Sequence, residues 1–359
     1  MKAAYIHIPF CTNICSYCDF SKVFYHKKWV LDYLNVLNFE IKNNYQGEVL
    51  DTIYIGGGTP SSLELEELEQ LFQILNQFKV SRSLEYTIEC NLENLTKEKI
   101  LLFKKYGINR LSVGIQTFQD QFLKFLNRKK GDIKLIDFAK QIGISNINID
   151  LIYALPNQTL EDLKKDLNTF LNLDITHIST YSLMIEPHTI LYNKNIMPID
   201  EEMDVKMYHL ICETLEKYGF QHYETSNFSK PGFESKHNLT YWNNEYYYGF
   251  GLGASGYKEH IRYSNTRSIT KYLNKEFIQE TEILTKQDEM SYEMILGLRK
   301  LEGVDLNHFY EKFHKQVEEV FDIIDLIKAG KLIKNNHYLK IAKDYLYVSN
   351  DILIRFVGD

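Results

Sequence analysis

Short runs of apolar and β-branched residues alternate along the first half of the chain with longer segments in which apolar residues recur every three or four positions. The short runs predict strands at residues 3–8, 52–55, 85–90, 110–115, 146–152 and 177–183. The longer segments predict amphipathic helices at residues 29–43, 63–78, 96–106, 133–142 and 159–171. Alternating units of this kind predict an α/β fold with a parallel sheet and outer helices, either doubly wound or closed into a partial or full (β/α) barrel.

The pattern changes after residue 220. Residues 221–267 are rich in aromatic side chains and asparagine, and they predict a loop-rich segment. From about residue 285, two helical patterns precede short β-like pieces at 339–341 and 345–348, which predicts a small α/β module resembling a winged helix. We therefore divide the chain into a barrel core at 1–220, an aromatic and glycine-rich connecting segment at 221–284, and a C-terminal accessory domain at 285–359.

Composition and charge narrow the class of protein. The 359 residues are 44% hydrophobic and 25% charged, which is typical of a water-soluble chain with a buried core. No stretch reaches the roughly 18 apolar residues of a membrane span, and the first residues predict a strand rather than a signal peptide. We therefore expect a cytoplasmic protein. The net charge of −7 argues against nucleic acid as the main partner.

Three of the five cysteines lie close together in the segment His7-Ile-Pro-Phe-Cys11-Thr-Asn-Ile-Cys15-Ser-Tyr-Cys18. Clustered thiols in a cytoplasmic chain indicate metal or redox chemistry rather than disulfides. Spacings of three and then two residues allow the thiolates to hold three corners of a [4Fe–4S] cluster. Because no fourth cysteine lies nearby, one iron would stay open for chemistry. A zinc site with His7 or His26 as fourth ligand is the alternative.

This CxxxCxxC spacing, directly after the first predicted strand and with Tyr17 before the last cysteine, resembles the radical S-adenosylmethionine (SAM) superfamily. The resemblance implies that the amino and carboxylate groups of SAM chelate the open iron. It also implies that an electron from the cluster cleaves SAM to give a 5′-deoxyadenosyl radical. Further SAM contacts are then expected at the carboxyl ends of the later strands.

Residues at those strand ends agree with this expectation. The glycines at 56–58 can let the backbone approach a ligand closely, because no Cβ intervenes. The resemblance implies that the SAM amino group is met by Gly56, Gly57, Gly58 and Thr59, and that the SAM carboxylate is met by Gln116 and Arg128. It also implies that Glu89 contacts the methionine or ribose part of SAM, that Asp150 binds a ribose hydroxyl, and that the Ala154 backbone contacts the adenine. Tyr5 and Tyr17 are implied as aromatic walls of the site. Taken singly, the glycines also suit a plain turn, Glu89 a capping acid and Arg128 a surface cation.

Four segments resemble a narrower family, the oxygen-independent coproporphyrinogen oxidases (HemN) and the related heme chaperones (HemW). They are Tyr5-Ile-His-Ile-Pro-Phe-Cys, Gly56-Gly-Gly-Thr-Pro, Ser112-Val-Gly-Ile-Gln and Ile149-Asp-Leu-Ile-Tyr-Ala-Leu-Pro. The resemblance covers roughly residues 3–260 and is fainter beyond. The oxidases carry CxC where this chain has Cys18-Asp-Phe, and their segment ahead of the first strand has no counterpart here. Both features favour the chaperone branch.

A fifth segment, His237-Asn-Leu-Thr-Tyr-Trp, resembles the HNxxYW motif of the heme-binding branch. The resemblance implies that His237 is an axial ligand of heme iron, and histidine is a common heme ligand. A polar loop histidine bonded to backbone is the alternative interpretation. The chain departs from the family pattern at one point: the pattern is Arg-x-His, whereas here Arg128 is followed by Lys129-Lys130.

The resemblance as a whole implies a heme-binding chaperone that inserts or transfers heme and carries a SAM-coordinated [4Fe–4S] cluster. The alternative is an oxygen-independent coproporphyrinogen III oxidase. The implied partners are heme or a porphyrin, a heme-accepting protein and an electron donor, with no nucleic acid. Peripheral membrane association and a homodimer are left open, and no catalytic residue is assigned.

Overall fold

The computed structural model describes residues 2–358. A large sheet of twelve strands forms its centre, and a sheet of three strands lies in the C-terminal part. The large sheet comprises β1 (Ala3–Ile8), β2 (Leu50–Gly57), β3 (Val80–Asn91), β4 (Arg110–Gln116), β5 (Asn146–Tyr153), β6 (His177–Ser182), β7 (Gln221–Glu224), β8 (Asn227–Ser229), β9 (Tyr247–Phe250), β10 (Ser255–Lys258), β11 (Ile261–Asn265) and β12 (Ile278–Ile283). The small sheet comprises β13 (Val304–Asp305), β14 (Leu332–Lys334) and β15 (Tyr338–Ile341).

The order of strands across the large sheet is β12-β11-β10-β9-β1-β2-β3-β4-β5-β6-β8-β7. The strands from β9 to β6 in this order are parallel, whereas those added at either edge are antiparallel. Within residues 2–358 the outer strands β12 and β7 do not pair with each other. The sheet is therefore a partial barrel rather than a closed one.

Helices follow the parallel strands and bury their apolar side chains against the sheet; in the second helix, for example, Leu68 and Leu71 are fully buried. The helices are α1 (Lys27–Asn44), α2 (Leu65–Leu75), α3 (Lys97–Lys105), α4 (Asp120–Phe125), α5 (Lys134–Gln141), α6 (Leu160–Leu171), α7 (Ile190–Asn193), α8 (Glu201–Lys217), α9 (Lys236–Trp242), α10 (Ile269–Leu273), α11 (Lys286–Gly297), α12 (Leu306–Phe313), α13 (Val317–Val320), α14 (Ile324–Lys328) and α15 (Ser349–Leu353). Between residues 2 and 358, no helix has the length and hydropathy that crossing a membrane requires.

Strand β4 illustrates how the sheet positions polar groups. All of its residues are buried, as expected for a parallel strand covered on both faces. Leu111, Val113 and Ile115 belong to the main apolar core. The alternate residues, including Arg110, Ser112 and Gln116, therefore point to the opposite face because side chains alternate along a strand. That inner face carries the polar residues of the site.

The predicted elements up to residue 183 are all present, with ends shifted by a few residues. The prediction of a loop-rich segment at 221–267 was wrong, because five strands and α9 lie there. The five strands extend the large sheet at both edges. Tyrosine and phenylalanine favour strands, and the glycines permit close strand approach. A Cβ on Gly249 would lie 1.9 Å from the Ser255 carbonyl oxygen.

The C-terminal part has its own apolar cluster, which includes Met294, Phe309 and Leu339. Helices α11–α14 precede the antiparallel pair β14–β15 and α15 follows it, in agreement with the predicted winged-helix-like module. The β-like piece at 345–348 was wrong, since Lys343–Tyr345 is a 3₁₀ turn. The strand that pairs with β15 is instead β14 (Leu332–Lys334), which is too short to show a periodic pattern. The division of the chain into three parts stays a prediction.

Candidate functional site

A cavity of about 490 Å³ opens at the carboxyl ends of the parallel strands. Because side chains on one face of neighbouring strands converge at this end, residues far apart in sequence meet there. The predicted site residues that line it are Cys11, Cys15, Tyr17, Cys18, Gly57, Gly58, Thr59, Glu89, Gln116, Arg128 and Asp150. The others, Tyr5, Gly56, Ala154 and His237, do not line this cavity.

The three cysteines of the loop face this cavity and are not disulfide-bonded. Cys11 is buried and lies 3.5 Å from Thr59 Oγ1, while Cys15 Sγ lies 3.7 Å from Arg128 Nη1. Burial raises the pKa of Cys11 to about 11, and burial also raises the pKa of Cys18. Both thiols are therefore protonated at neutral pH until a metal displaces the proton, as metal thiolate ligation requires.

The donor set fits a cluster better than a single ion. Within residues 2–358, no three His, Cys, Asp or Glu side chains are grouped to hold one metal ion. A cubane cluster spreads its thiolates farther apart than one ion does. Of the two fourth ligands of the zinc alternative, His7 is engaged at both ring nitrogens, by the Tyr5 hydroxyl at 3.0 Å and the Ser21 carbonyl at 2.7 Å.

The glycine turn after β2 leaves no room for side chains. A Cβ on Gly58 would lie 2.7 Å from the Pro9 carbonyl and 2.9 Å from Cys11 Sγ. Gly57 has φ 115°, and a Cβ there would lie 2.6 Å from the His7 ring. The glycines therefore allow the turn to pass directly beside the cysteine loop, as the sequence analysis expected of a close backbone approach.

Glu89 at the end of β3 holds this turn in place. Its Oε2 accepts a hydrogen bond from the Gly57 amide at 2.9 Å, and its Oε1 accepts one from the Tyr54 hydroxyl at 2.9 Å. Burial raises the pKa of Glu89 to about 7, and these hydrogen bonds oppose that rise. Glu89 is thus a carboxylate poised to gain from a cationic ligand, rather than the capping acid of the alternative interpretation.

Arg128 and Gln116 lie on the cysteine side of the cavity. Arg128 is buried, which excludes the surface-cation alternative, and it donates to Asn91 Oδ1 at 2.9 Å and to the Gly114 carbonyl at 2.5 Å. Gln116 has φ 72°, and its Oε1 is buried without a hydrogen-bond partner. A strained residue with an unpartnered polar atom in a cavity indicates a missing ligand.

Asp150 accepts a hydrogen bond from Asn148 Nδ2 at 2.9 Å, and burial raises the pKa of its carboxyl group. It lines the cavity, as a ribose hydroxyl acceptor must. Ala154 is buried and has φ 57°, a conformation unusual for alanine. Ala154 does not line the cavity, so the expected contact between its backbone and the adenine stays a prediction.

A second cavity, of about 610 Å³, adjoins the first on the side of β9–β12. Tyr5, Tyr241 and Tyr247 line it, together with Arg267. Asp19, Phe20, Gly57 and Glu89 line both cavities. Tyr5, expected as a wall of the SAM site, therefore belongs to the neighbouring space.

His237 lines neither cavity and is 1% exposed. Its Nδ1 is 2.8 Å from Thr52 Oγ1, its Nε2 is 2.7 Å from the Tyr241 hydroxyl, and its ring stacks on Tyr54. Burial lowers the pKa of His237 to about 3, so the ring is neutral. With both ring nitrogens engaged, His237 presents no free lone pair to an iron in this conformation. Its role as a heme ligand stays a prediction.

Sequence profiles of known families cover both halves of the chain. The radical SAM superfamily matches residues 5–170, and the HemN C-terminal domain matches residues 284–343. The heme chaperone HemW of Bacillus subtilis (strain 168) is 40% identical over 378 residues and covers 100% of both chains. This chain belongs to the heme chaperone HemW family. The match to the radical SAM superfamily implies SAM and a [4Fe–4S] cluster as cofactors.

Further members of the HemW family agree with this assignment. The heme chaperone HemW of Lactococcus lactis is 40% identical over 100% of this chain and 98% of its own. That of Escherichia coli is 34% identical over 70% of this chain and 69% of its own. The solved coproporphyrinogen III oxidase (HemN) from Escherichia coli, described as a radical SAM enzyme, has a TM-score of 0.88 over 99% of this chain and 90% of that one. At 20% identity it shows the shared fold alone.

Several polar residues of the first cavity were missed by the sequence analysis: Tyr54, Asn91, Arg110, Ser112, Asn148 and Tyr181. Most of them are separated by an even number of positions from a site residue that the sequence analysis identified. Asn148, for example, lies two positions before Asp150. The alternation of side chains along a strand was the signal that could have found them. Arg110 is notable because it is 2% exposed and its Nε has no hydrogen-bond partner.

Proposed function

We propose that this chain is a heme-binding chaperone that inserts or transfers heme and carries a SAM-coordinated [4Fe–4S] cluster on Cys11, Cys15 and Cys18. The observation that carries the proposal is the 40% identity, over essentially full length, to two proteins named heme chaperone HemW. The Cys18-Asp-Phe sequence, in place of the CxC of the oxidases, supports the same choice.

The residues of the first cavity fit the two cofactors. When bound, the cluster supplies an open iron and an electron for SAM. Around the cluster, the Arg128 guanidinium can bind the SAM carboxylate. The Glu89 carboxylate can attract the positive charge of SAM. Gln116, expected beside Arg128 at the SAM carboxylate, can donate to that group from its side-chain amide. Its Oε1 atom, which is buried without a partner, is then left to accept from the neighbouring SAM amino group. The low exposure of Cys11 and Arg128 keeps bulk water away from this side of the cluster.

Heme is the cargo in this proposal, and two partners are required. A heme-accepting protein must take the heme, and an electron donor must reduce the cluster if SAM is cleaved. The exposed side chains of Phe20 and Met184 at the mouth of the first cavity form an apolar rim where a partner can approach.

The test is an anaerobic assay of the reconstituted full chain with SAM, run in parallel with heme and with coproporphyrinogen. We expect one heme per chain, transfer of that heme to an apo-heme protein, and no protoporphyrinogen. Protoporphyrinogen formed in many turnovers would instead assign the chain to the oxidases.

A further inference from the structure

The second cavity is large enough for a ligand of its own. At about 610 Å³ it falls within the usual range for small-molecule sites. The first cavity already contains the three cysteines and the residues that fit SAM. The second cavity touches that site only through Gly57, Glu89 and the loop at 19–20. A ligand in the second cavity would therefore lie beside the cofactors without displacing them.

The walls of the second cavity suit a flat aromatic molecule with acidic arms. Tyr5, Tyr241 and Tyr247 provide aromatic faces, and Phe20, which is 61% exposed, stands at the mouth. Arg267 is the cation among the lining residues, and a guanidinium binds carboxylates well. Asp19, Glu89 and Glu280 also line the cavity, and their negative charge restricts carboxylate arms to the immediate surroundings of Arg267. Arg267 itself donates to Ser21 Oγ and to the Asp19 carbonyl. Heme, with its apolar ring and two propionates, has this chemistry.

Few residues of this cavity could ligate the heme iron. Within residues 2–358, neither cysteine nor methionine lines the cavity, and the one histidine that does, His7, is bonded at both ring nitrogens. The remaining candidates are the three tyrosines, and a tyrosine phenolate is a known axial ligand of heme. Within residues 2–358, the hydroxyls of Tyr5 and Tyr241 each contact an imidazole, whereas that of Tyr247 does not.

Two observations favour Tyr241 over Tyr5. The Tyr241 hydroxyl lies 2.7 Å from His237 Nε2, a shorter contact than the 3.0 Å between Tyr5 and His7. After burial, the Glu89 carboxylate makes the largest contribution to the raised pKa of Tyr5. Its negative charge opposes the formation of a phenolate at Tyr5. Glu89 also raises the pKa of Tyr241, but its effect there is smaller than those of the neighbouring Tyr247 and Tyr5.

We infer that ferric heme binds in the second cavity with the Tyr241 phenolate as axial ligand, and that His237 positions Tyr241 instead of binding iron itself. The inference rests on the proposed heme-binding function. Coordination forms an Fe(III)–oxygen bond and breaks the Tyr241 O–H bond. The Tyr241 proton is released to solvent. His237 stays neutral: its Nε2–H group donates to the phenolate oxygen, and its Nδ1 accepts from the Thr52 hydroxyl.

The test is to titrate the reconstituted full chain with ferric heme and to record electron paramagnetic resonance and resonance Raman spectra. The oxidised [4Fe–4S] cluster is diamagnetic, so it does not obscure a high-spin ferric signal. We expect high-spin ferric heme with a phenolate–iron vibration. Tyr241→Phe should lose that vibration and weaken heme binding at least about tenfold. Tyr246→Phe removes a phenol that packs on Tyr257 outside the cavity, and it should change neither.

The remaining variants separate the possible ligands. His237→Gln should keep the phenolate vibration, shifted in frequency, because the glutamine amide can still hydrogen-bond Tyr241. Loss of the heme spectrum in His237→Gln with an unchanged Tyr241→Phe would overturn the inference in favour of histidine ligation. Loss of the vibration in Tyr5→Phe alone would overturn it in favour of Tyr5. Retained cluster content in each variant shows that it has folded.

The failure of this inference is distinguishable from that of the proposed function. If the wild-type chain binds no heme, the chaperone proposal fails and the ligand assignment falls with it. If the wild-type chain binds and transfers heme, and Tyr241→Phe is spectroscopically unchanged, only the ligand assignment fails.

Discussion

Glu89 Oε2 accepts a 2.9 Å hydrogen bond from the amide of Gly57, and these two residues line both cavities. The wall between the cofactor space and the neighbouring space therefore includes one carboxylate bonded to one glycine turn. Gly57 adopts φ 115° there, so a larger residue could not hold the same turn without strain. A charge change at Glu89 is consequently felt on both sides of the wall.

The affinity for SAM should depend on the ionisation of Glu89. Its pKa of about 7 lies above the ordinary 4.5, so much of the carboxyl is protonated below neutral pH. SAM carries a net positive charge, and we expect its affinity to rise as pH increases through about 7 and then to level off. Equilibrium binding between pH 6 and 8.5 measures this. Glu89→Gln should bind more weakly and show a flatter profile, and an identical slope in both proteins would contradict the assignment.

The same shift affects the stability of the ligand-free chain. Because folding raises the pKa of Glu89, the folded form holds its proton more tightly than the unfolded form. The stabilising contribution is present below about pH 4.5 and is lost as pH rises through about 7. Urea unfolding should therefore show that Glu89→Gln gains stability relative to wild type as pH increases across this interval. A difference that is constant with pH would show that Glu89 is not buried as a neutral acid.

The cluster should depend on each cysteine of the loop and on no other. Cys15→Ala is expected to lose the intact [4Fe–4S] cluster after anaerobic reconstitution, because two thiolates cannot hold the three protein-ligated corners. Cys212→Ala is the matched control, since Cys212 is a buried thiol on α8 that lines neither cavity. Iron and sulfide content per chain is the measurement. Full content in Cys15→Ala would overturn the ligand set.

Much of this site could be predicted from sequence because it follows the strands. Glu89, Gln116 and Asp150 lie in the carboxyl-terminal halves of successive parallel strands, and the carboxyl ends of such strands meet at one edge of a sheet whatever the details of packing. The edge strands were missed for a related reason. In β9 and β10, tyrosines and glycines alternate too irregularly to give a period of two. These segments become strands because β9 pairs with β1, and β10 pairs with β9.

The environment of His237 could not be predicted in this way. Its burial depends on how α9 packs, and Glu85 of β3 fixes that packing by accepting from the amides of Lys236 and His237. This contact joins residues about 150 positions apart and has no local signature. The motif correctly indicated that the segment is special, but only tertiary structure shows that Tyr241, and not His237, lines a cavity.

His237 should support the fold in a pH-dependent manner. Replacing it with alanine leaves Thr52 Oγ1 and the Tyr241 hydroxyl without their partner, which should lower the unfolding free energy by about 2–4 kcal/mol at pH 7. The folded-state pKa of about 3 lies below the ordinary 6.5. The contribution of His237 is therefore complete above pH 6.5 and falls by about 1.4 kcal/mol per unit as pH drops toward 3.

Urea unfolding of wild type and His237→Ala at several pH values measures this difference. His26→Ala is the control, because His26 is exposed and should change stability by less than about 0.5 kcal/mol. A gap between wild type and His237→Ala that persists unchanged at pH 5 would mean that His237 is charged in the folded chain.

Gly58 offers the sharpest steric test of the cofactor site. A methyl group there would lie 2.7 Å from the Pro9 carbonyl and 2.9 Å from Cys11 Sγ, closer than real side-chain carbons approach. Gly58 does not have a positive φ, so Gly58→Ala introduces no backbone strain and acts by contact alone. The alanine should displace Cys11 and reduce cluster content severalfold, while the far-ultraviolet circular dichroism of the folded chain is retained. Gly358→Ala, where a Cβ meets nothing within 4 Å, should reconstitute fully. A Gly58→Ala protein with a complete cluster would mean that the cysteine loop moves away from the glycine turn when the cluster binds.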